Sequence, residues 1–249
     1  MNKNTTHNKI QEVSMSFSEY LNGKREICRE LIAELGRTFS YVSILGTDVH
    51  ATIYRTDRRS SAIRDGEGEC GFVIKMHNGK AFFEYSLDDL SGDIPALAEK
   101  IRRAVAISPS LEDRMIESTA VKDEPLRRDF IRETDFASYG DSDILSYCSE
   151  LRDRLLAKDN RFVNAVVTLQ PFEVSKLFVT KNRELSQSYG WVNGYLMVIA
   201  QDGRMVNARE GAYSTHIADV MERLPQLIDK LADKVLRLTK ATPIEPGIY

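Results

Sequence analysis

Residues Gly71–Ser86, GFVIKMHNGKAFFEYS, have the pattern of two β-strands joined by a tight turn. Before the turn, apolar side chains fall at every second position, at Phe72, Ile74 and Met76, as expected for a strand with one buried face. Asn78-Gly79 then tolerates positive φ angles at both central positions of a turn. An Asn-Gly pair between two such runs is a strong hairpin signal, and we predict an antiparallel hairpin here.

The same order of features recurs in Tyr195–Ser214, YLMVIAQDGRMVNAREGAYS. An apolar strand leads to a turn at Asp202-Gly203, and a return strand ends in Ser before a helical pattern. A helical pattern also precedes each hairpin at a similar distance. We therefore predict an α+β protein with two similar halves, each with the order helix, antiparallel meander, hairpin and helix, and with sheets flanked by helices.

Changes in composition along the chain define the boundaries of these halves. A connector of mixed charge, with scattered apolar residues, separates them, and it favours an irregular path with a short helix near 124–131. The expected division is a flexible lead-in at 1–15, a first half at 16–106, the connector at 107–142, a second half at 143–240 and a final passage at 241–249.

Local signals place the ends of several helices. Ser16 and Glu19 have the spacing of a capping box, so the first helix is expected to begin near Ser16. Asp93 is the expected N-cap of a second helix. The last helix, at about 215–238, contains Pro225, which lacks an N–H and clashes with the preceding turn, so we predict a kink or a break there.

Alternating or continuous apolar runs predict strands at 41–45, 47–56, 162–169 and 174–180. Residues 181–188 fit either a further strand or a loop. A meander leaves an edge strand unpaired unless something covers it, and such an edge can accept an extended peptide through main-chain hydrogen bonds. The segments 41–45 and 174–180 are the candidate edges.

Composition excludes several broad classes. The chain has 249 residues, is 42% hydrophobic and 29% charged, and carries a formal net charge of −3. This balance does not favour general binding to nucleic acid or to a membrane surface. No apolar run approaches the roughly 20 residues of a membrane-spanning helix. Cys28, Cys70 and Cys148 are widely spaced, with only Cys70 expected to be exposed, and we expect a cytoplasmic protein.

A search for chemistry assigns no catalytic, cofactor-binding or metal-ligating residue. No histidine has a partner at the spacing of a helical metal site, and no GxSxG nucleophile motif is present. The glycines of 66–71 (GEGECG) have acidic neighbours, unlike a phosphate-binding loop. The aromatic side chains of 82–85 fit a core better than a base-stacking platform. The histidines, for which structural or surface roles are expected, are His7, His50, His77 and His216.

The ordered series of elements resembles the N-terminal region of the TldD/PmbA family, once described as modulators of DNA gyrase. The resemblance rests on the opening helix, GFVIKMHNGKAFFEYS, the helix at Asp93, the charged connector and a second helix. It continues through the strand and hairpin set LFVTKNRELSQSYGWVNGYLMVIAQDGRM, at 177–205. The tail Pro243–Tyr249, PIEPGIY, resembles the family's passage into its second half.

This resemblance implies a zinc-dependent peptidase that degrades flexible peptides as a homodimer or as a pair of family subunits. The family's metal motif, His-Glu-x-x-x-His, lies in the C-terminal half and is not found in this sequence, so no metal or catalytic residue can be transferred. Zinc is expected in that second half, and the chain is expected to be a fragment without hydrolytic activity. Some family subunits lack a working site, so the full-length protein need not be catalytic.

Two hypotheses follow. The first is a non-catalytic domain that frames an extended peptide substrate and supports assembly of such a peptidase. The alternative is a stand-alone interaction module that binds a partner protein through a sheet edge. A direct role with nucleic acid is disfavoured by the acidic balance.

Overall fold

The computed structural model describes residues 13–14, 16–106, 117–119, 121–242 and 247. Most of the predicted lead-in, the first part of the connector and most of the predicted final passage lie outside the described residues.

The described helices and strands follow one another in a mixed order. The helices are α1 Glu19–Gly23, α2 Arg25–Leu35, α3 Ile94–Ala104, α4 Asp141–Leu156, α5 Ile217–Arg223 and α6 Ile228–Lys240. The strands are β1 Val13–Ser14, β2 Tyr41–Thr56, β3 Ser61–Asp65, β4 Glu69–His77, β5 Phe82–Leu87, β6 Leu126–Ile131, β7 Glu133–Thr134, β8 Phe162–Thr180, β9 Arg183–Asp202 and β10 Arg204–Ser214.

Eight strands form one sheet. Six of them follow the order β10-β9-β8-β2-β4-β5, while β3 pairs with β2 and β6 pairs with β9. All of these pairs are antiparallel except β6 with β9. The α+β class with helix-flanked antiparallel strands is confirmed, and the strands of both halves belong to the same sheet.

Three unusually long strands join the two halves. β2, β8 and β9 contain 16, 19 and 20 residues, and each is long enough to contact the helices of both halves. β2 pairs with β8 from Ser43 opposite Thr180 to Thr56 opposite Val167, with an interruption beside Pro171. Because proline has no N–H to donate, it fits a strand where the ladder on one side is interrupted.

The helices of both halves lie on one face of the sheet. In β9 every even-numbered residue from Ser186 to Ala200 is buried, and the odd-numbered residues between them are partly exposed. The first core packs α1, α2 and α3 on residues such as Ile44, Ile74 and Leu177. The second packs α4, α5 and α6 on Leu169, Leu196 and their neighbours. Since these residues share one side of the pleat, both cores occupy the same face.

Both predicted hairpins form, but the first turn is looser than predicted. β4 and β5 pair as far as His77 opposite Phe82, so a four-residue loop connects them. Gly79 has a φ of 99°, and Asn78 instead uses its side-chain oxygen to accept the N–H groups of Lys80 and Ala81. No non-glycine residue that the structure describes has a positive φ. In the second hairpin Gly203, with a φ of 72°, is the turn residue.

Of the three local helix signals, the cap at Asp93 and the break at Pro225 were predicted correctly. Asp93 caps α3 by accepting the N–H of Ala96. Pro225 lies in a short 3₁₀ turn, Leu224–Leu227, that separates α5 from α6. The predicted cap at Ser16 is wrong, because Ser18 caps α1 by accepting the N–H of Leu21 at 3.1 Å. The Ser18 hydroxyl also donates to the carboxylate of Asp48 on β2, which fixes the helix to the sheet.

Two further predictions are wrong for a long-range reason. The segment 124–131 forms strand β6 rather than a helix, because the first residues of β9 offer it a parallel partner. The segments 41–45 and 174–180 are not edges, because they pair with each other and each has a second neighbouring strand. The alternative left open for 181–188 resolves as the beginning of β9.

Replacing Ser18 should destabilise the protein, whereas replacing Ser16 should not. Ser18→Ala removes the cap of α1 and the bond to Asp48, so we expect a loss of about 1–2 kcal/mol in the free energy of unfolding. Ser16→Ala is the matched control, because Ser16 is exposed. Urea denaturation followed by circular dichroism measures both, and equal midpoints for the two variants would contradict the assigned cap.

A second prediction tests the packing of α5 on the sheet. A Cβ atom added at Gly194 of β9 would lie 2.4 Å from Cγ1 of Val220 and 2.9 Å from Cδ1 of Leu224. We expect Gly194→Ala to lower the free energy of unfolding by about 1–3 kcal/mol through overpacking. At Gly23, in α1, an added Cβ meets nothing within 4 Å. Gly23→Ala should therefore be neutral or stabilise the protein by about 0.4–1 kcal/mol. Urea denaturation of both variants provides the measurement.

Candidate functional site: the open face of the sheet

The face of the sheet opposite the helices is the candidate site, and we call it the open face. It carries the odd-numbered side chains of β2 and β9, the even-numbered side chains of β8, and the residues in register with them. Its apolar side chains belong to neither of the two cores. No helix among the described residues covers it, so long apolar side chains remain partly accessible.

An aromatic row crosses the middle of the open face. Phe172 on β8 stands opposite Trp191 on β9, and their rings stack with centroids 4.8 Å apart and planes 11° apart. Tyr189, two residues before Trp191 on β9, also stacks near it, with centroids 6.1 Å apart and planes 23° apart. All three side chains are partly exposed. Phe172 and Tyr189 both stack near the Trp191 ring, so the three side chains form one aromatic cluster that a ligand on this face can contact.

An apolar cleft of about 390 Å³ lies at the β6 end of the same face. Phe130 of β6 is half exposed, as is its strand neighbour Leu126. The cleft is also lined by two basic side chains, Arg128 and Lys176, so it combines apolar and cationic surface. Its other lining residues are Leu45, Phe178, Leu185, Ser186 and Gln187.

The open face is strongly basic although the chain is acidic. By strand register its acidic side chains are Glu69 and Glu84. Lys75 pairs with Glu84 at 3.1 Å, and Arg183 pairs with Asp123 of the connector at 3.7 Å. The other five cations form no ion pair with a carboxylate in the described part of the chain. Its basic side chains are Arg55, Arg64, Lys75, Arg128, Lys176, Arg183 and Arg209.

A polar network between the two helical layers does not form a catalytic site. The carboxylate of Asp48 contacts Nε2 of the exposed His50 at 3.0 Å and accepts the hydroxyl of Ser18 at 2.6 Å. The carboxylate therefore lies between the hydroxyl and the imidazole. A nucleophilic serine needs the base in direct contact with its hydroxyl, so Ser18 is not activated. The network fixes α1 on the sheet instead.

The remaining histidines have structural or surface positions, as predicted, where the structure describes them. His77 is buried, and its Nδ1 accepts the N–H of Gly79 at 3.0 Å while its Nε2 contacts the carbonyl of Ser118 at 2.8 Å. It therefore organises the first hairpin. His216 precedes α5, and His7 lies outside the described residues.

The cysteines have the predicted exposure. Cys28 and Cys148 are buried and Cys70 is exposed. Burial raises the pKa of both the Cys28 and the Cys148 thiol to about 12, so these thiols stay protonated and unreactive at neutral pH. Desolvation also raises the pKa of Cys70.

The Gly-rich segment and the aromatic residues of 82–85, which the sequence analysis considered as possible sites, contribute to the packing of the sheet. Residues 66–68 of the Gly-rich segment lie where the pairing along β2 passes from β3 to β4, and a Cβ on Gly66 would come 2.7 Å from that of Ala51. They allow close packing of strands. Phe83 and Tyr85 pack against the first core, whereas Phe82 contacts Tyr41 and His77 on the open face.

The described residues do not fit a zinc site. Among them, no three His, Cys, Asp or Glu side chains are grouped closely enough to hold a metal ion. We therefore derive no chemical step through zinc from this chain. Similarly, no helix in the described ranges is long and apolar enough to cross a membrane.

The sequence analysis missed the open face, although one signal was present. In 191–200, WVNGYLMVIA, the residues Trp191, Tyr195, Met197 and Ile199 share one side of a strand, and Val192, Leu196 and Val198 share the other. This pattern shows two apolar sides, and only the fold reveals that the helices cover one of them.

The fold and the open face define the class: an α+β domain with all described helices on one side of a long-stranded sheet and an aromatic, basic surface on the other. The sequence itself matches no family model and no curated protein.

Comparison of folds identifies similar solved structures. One is a protein named as a modulator of DNA gyrase from Bacteroides thetaiotaomicron, with a TM-score of 0.64 and 13% identity over 87% of this chain. A protein of the same name from Thermotoga maritima gives 0.64 and 14% over 89%. TldE from Thermococcus kodakarensis gives 0.54 and 12% over 82%.

The chain spans about half the length of each of these structures, 50%, 50% and 47%. The resemblance to the TldD/PmbA family that the order of elements suggested is thus confirmed at the level of the fold.

Neighbouring residues of β8 test the assignment of the two faces. Leu177 is fully buried in the first core, so Leu177→Ala should lower the free energy of unfolding by about 2–5 kcal/mol. Lys176 lies on the open face, and Lys176→Ala should change it by no more than about 0.5 kcal/mol. Urea denaturation of the two variants provides the measurement. A large loss for Lys176→Ala would mean that this face is covered.

Proposed function

We propose that this chain is the substrate-framing and assembly domain of a TldD/PmbA-type peptidase, and that its open face contacts an extended, flexible peptide. The observation that carries the proposal is the partly exposed aromatic row of Phe172, Trp191 and Tyr189 on a fold that matches about half of TldE and of two gyrase-modulator proteins.

The shape and chemistry of the open face support an extended ligand. β8 and β9 run side by side across it for most of their length, so a peptide lying along them would meet the aromatic row in the middle. The aromatic and aliphatic side chains of the open face can contact apolar peptide side chains without requiring one particular sequence. Such contacts suit a domain that receives unfolded segments of varied sequence.

The remaining parts of the proposal concern the whole protein. We infer that this chain has no hydrolytic activity of its own and that zinc is held by the half of the protein that corresponds to the rest of the similar structures. We further infer a homodimer or a pair of family subunits acting in the cytoplasm. The zinc, the partner and the non-catalytic role are inferred from the family alone.

Trp191, the chain's one tryptophan, provides a direct test of peptide binding at the open face. We expect its emission to shift when a flexible polypeptide without a stable fold, such as β-casein, is added, and to stay unchanged with a folded protein of similar size and charge. The polypeptide should remain uncleaved with the chain alone.

Matched variants localise the binding. Phe172→Ala removes the stacking partner of Trp191 and should weaken binding roughly tenfold, as expected when an anchor in a contact surface is truncated. Leu238→Ala, on the exposed side of α6, is the control and should have no effect. Anisotropy of a labelled polypeptide measures both. Stoichiometric zinc together with hydrolysis by this chain would contradict the non-catalytic assignment. Unchanged binding by Phe172→Ala would show that the polypeptide does not bind at the aromatic row.

A further inference from the structure

We propose that the open face selects extended segments with an apolar centre and acidic residues on both flanks. This inference rests on the proposed function and adds a chemical class of substrate to it. The structural basis is the arrangement of five cations, none of them in an ion pair with a described carboxylate, around the aromatic row.

Along the direction of the strands, cations lie on both sides of the aromatic row. Lys176 on β8 and Arg128 on β6 line the cleft beyond one end. Beyond the other end, Arg209 covers the ring of Tyr195, with its guanidinium carbon 4.9 Å from the centroid. The centre contains Phe172, Trp191 and Tyr189 and no charged side chain. The other two cations, at the β3 side of the second end, are Arg55 and Arg64.

Strand register gives the length of segment that fits. Arg209 is opposite Met197, and Met197 is opposite Val166, so Arg209 and Lys176 are ten residues apart along β8. At a rise of about 3.3 Å per residue this is roughly 33 Å. An extended segment of about ten residues would therefore place its two ends beside cations and its middle over the rings.

The charge distribution favours an acidic ligand. The chain as a whole has a net charge of −3, yet the open face has seven basic and two acidic strand residues. An excess of basic over acidic side chains on one face creates a positive potential there, and this potential attracts and orients carboxylates. The neighbouring apolar surface lowers the local dielectric and strengthens that attraction.

Single-stranded nucleic acid is the other polyanion that aromatic and basic surfaces can bind. Base stacking requires a free aromatic face. Trp191 already stacks with Phe172 and Tyr189, and Arg209 covers one face of Tyr195, so these rings have less free face to offer to a base. Contact with aliphatic and aromatic peptide side chains needs no free stacking face, so the row suits a peptide better than bases.

The experiment uses the 249-residue chain and three fourteen-residue peptides with the same apolar centre. Their flanks carry Glu, Gln or Lys. Binding is followed through Trp191 emission and, independently, through anisotropy of labelled peptides. We expect the Glu peptide to bind at least about tenfold more tightly than the Gln peptide at low salt, with a smaller ratio at high salt because ions screen the partly exposed cations. The Lys peptide should bind most weakly.

Charge reversal localises the preference. Lys176→Glu and Arg209→Glu should each weaken binding of the Glu peptide about three- to tenfold, leave the Gln peptide within about twofold, and strengthen the Lys peptide. Lys100→Glu is the matched control, because Lys100 is exposed on α3, on the helical side, and changes the net charge equally. Circular dichroism and urea midpoints confirm that each variant is folded.

The outcomes separate this inference from the proposed function. Equal affinities for the Glu and Gln peptides would overturn the acidic preference and leave peptide binding intact. No binding of any peptide would remove the proposed function itself. An equal loss of Glu-peptide binding in Lys100→Glu would show that the preference follows the net charge of the protein and would overturn its assignment to the open face. Binding of oligo-dT at comparable affinity, lost in Lys176→Glu and Arg209→Glu, would reassign the face to nucleic acid and overturn the inference.

Discussion

The continuous hydrogen-bond ladder of β2, β8 and β9 is the constraint on which the rest of the structure depends. A strand can pair with a neighbour on each side. These three strands are also long enough to lie beneath the helices of both halves. Once β2 and β8 pair across 43–56 and 167–180, the two halves can no longer form separate sheets. Each half therefore contributes helices to a shared sheet, and both helical cores must share its pleat.

Placing all described helices on one face creates the open face. The helices of both halves bury the even side of β9, and the odd side then carries whatever apolar residues the sequence retains there. An antiparallel sheet commonly has one polar, solvated face. Here the second face keeps Trp191, Tyr195, Met197 and Ile199, so its composition differs from that of an ordinary solvated face. Partly exposed apolar and aromatic residues gathered on one surface are typical of a binding surface.

The features predicted correctly from the sequence are those with local causes. The N-cap at Asp93 and the break at Pro225 depend on a few neighbouring residues, and so do the glycine turns at Gly79 and Gly203. The order of elements was also sufficient to suggest the fold family. The features that were predicted wrongly are those that depend on distant partners.

Two examples show why. The segment 124–131 has few apolar residues and becomes a strand only because β9 is available beside it. The segments 41–45 and 174–180 look like edges in a meander of each half, but they are each other's neighbours across more than 120 residues of chain. The candidate site has the same origin, because the alternation in β9 is visible in the sequence whereas the side on which the helices pack is decided by tertiary structure.

The distribution of charge adds a functional reason for an uncovered face. Covering this side with a further apolar layer would bury Arg55, Arg128, Lys176 and Arg209 without carboxylate partners. Burying an unpaired charge costs several kcal/mol per ion, which is about as much as burying a large apolar side chain gains. A ligand that brings carboxylates removes this penalty while it covers the rings. In the proposed function, the same unpaired cations favour a ligand of opposite charge, and a sheet joined across both halves provides the length that such an extended ligand requires.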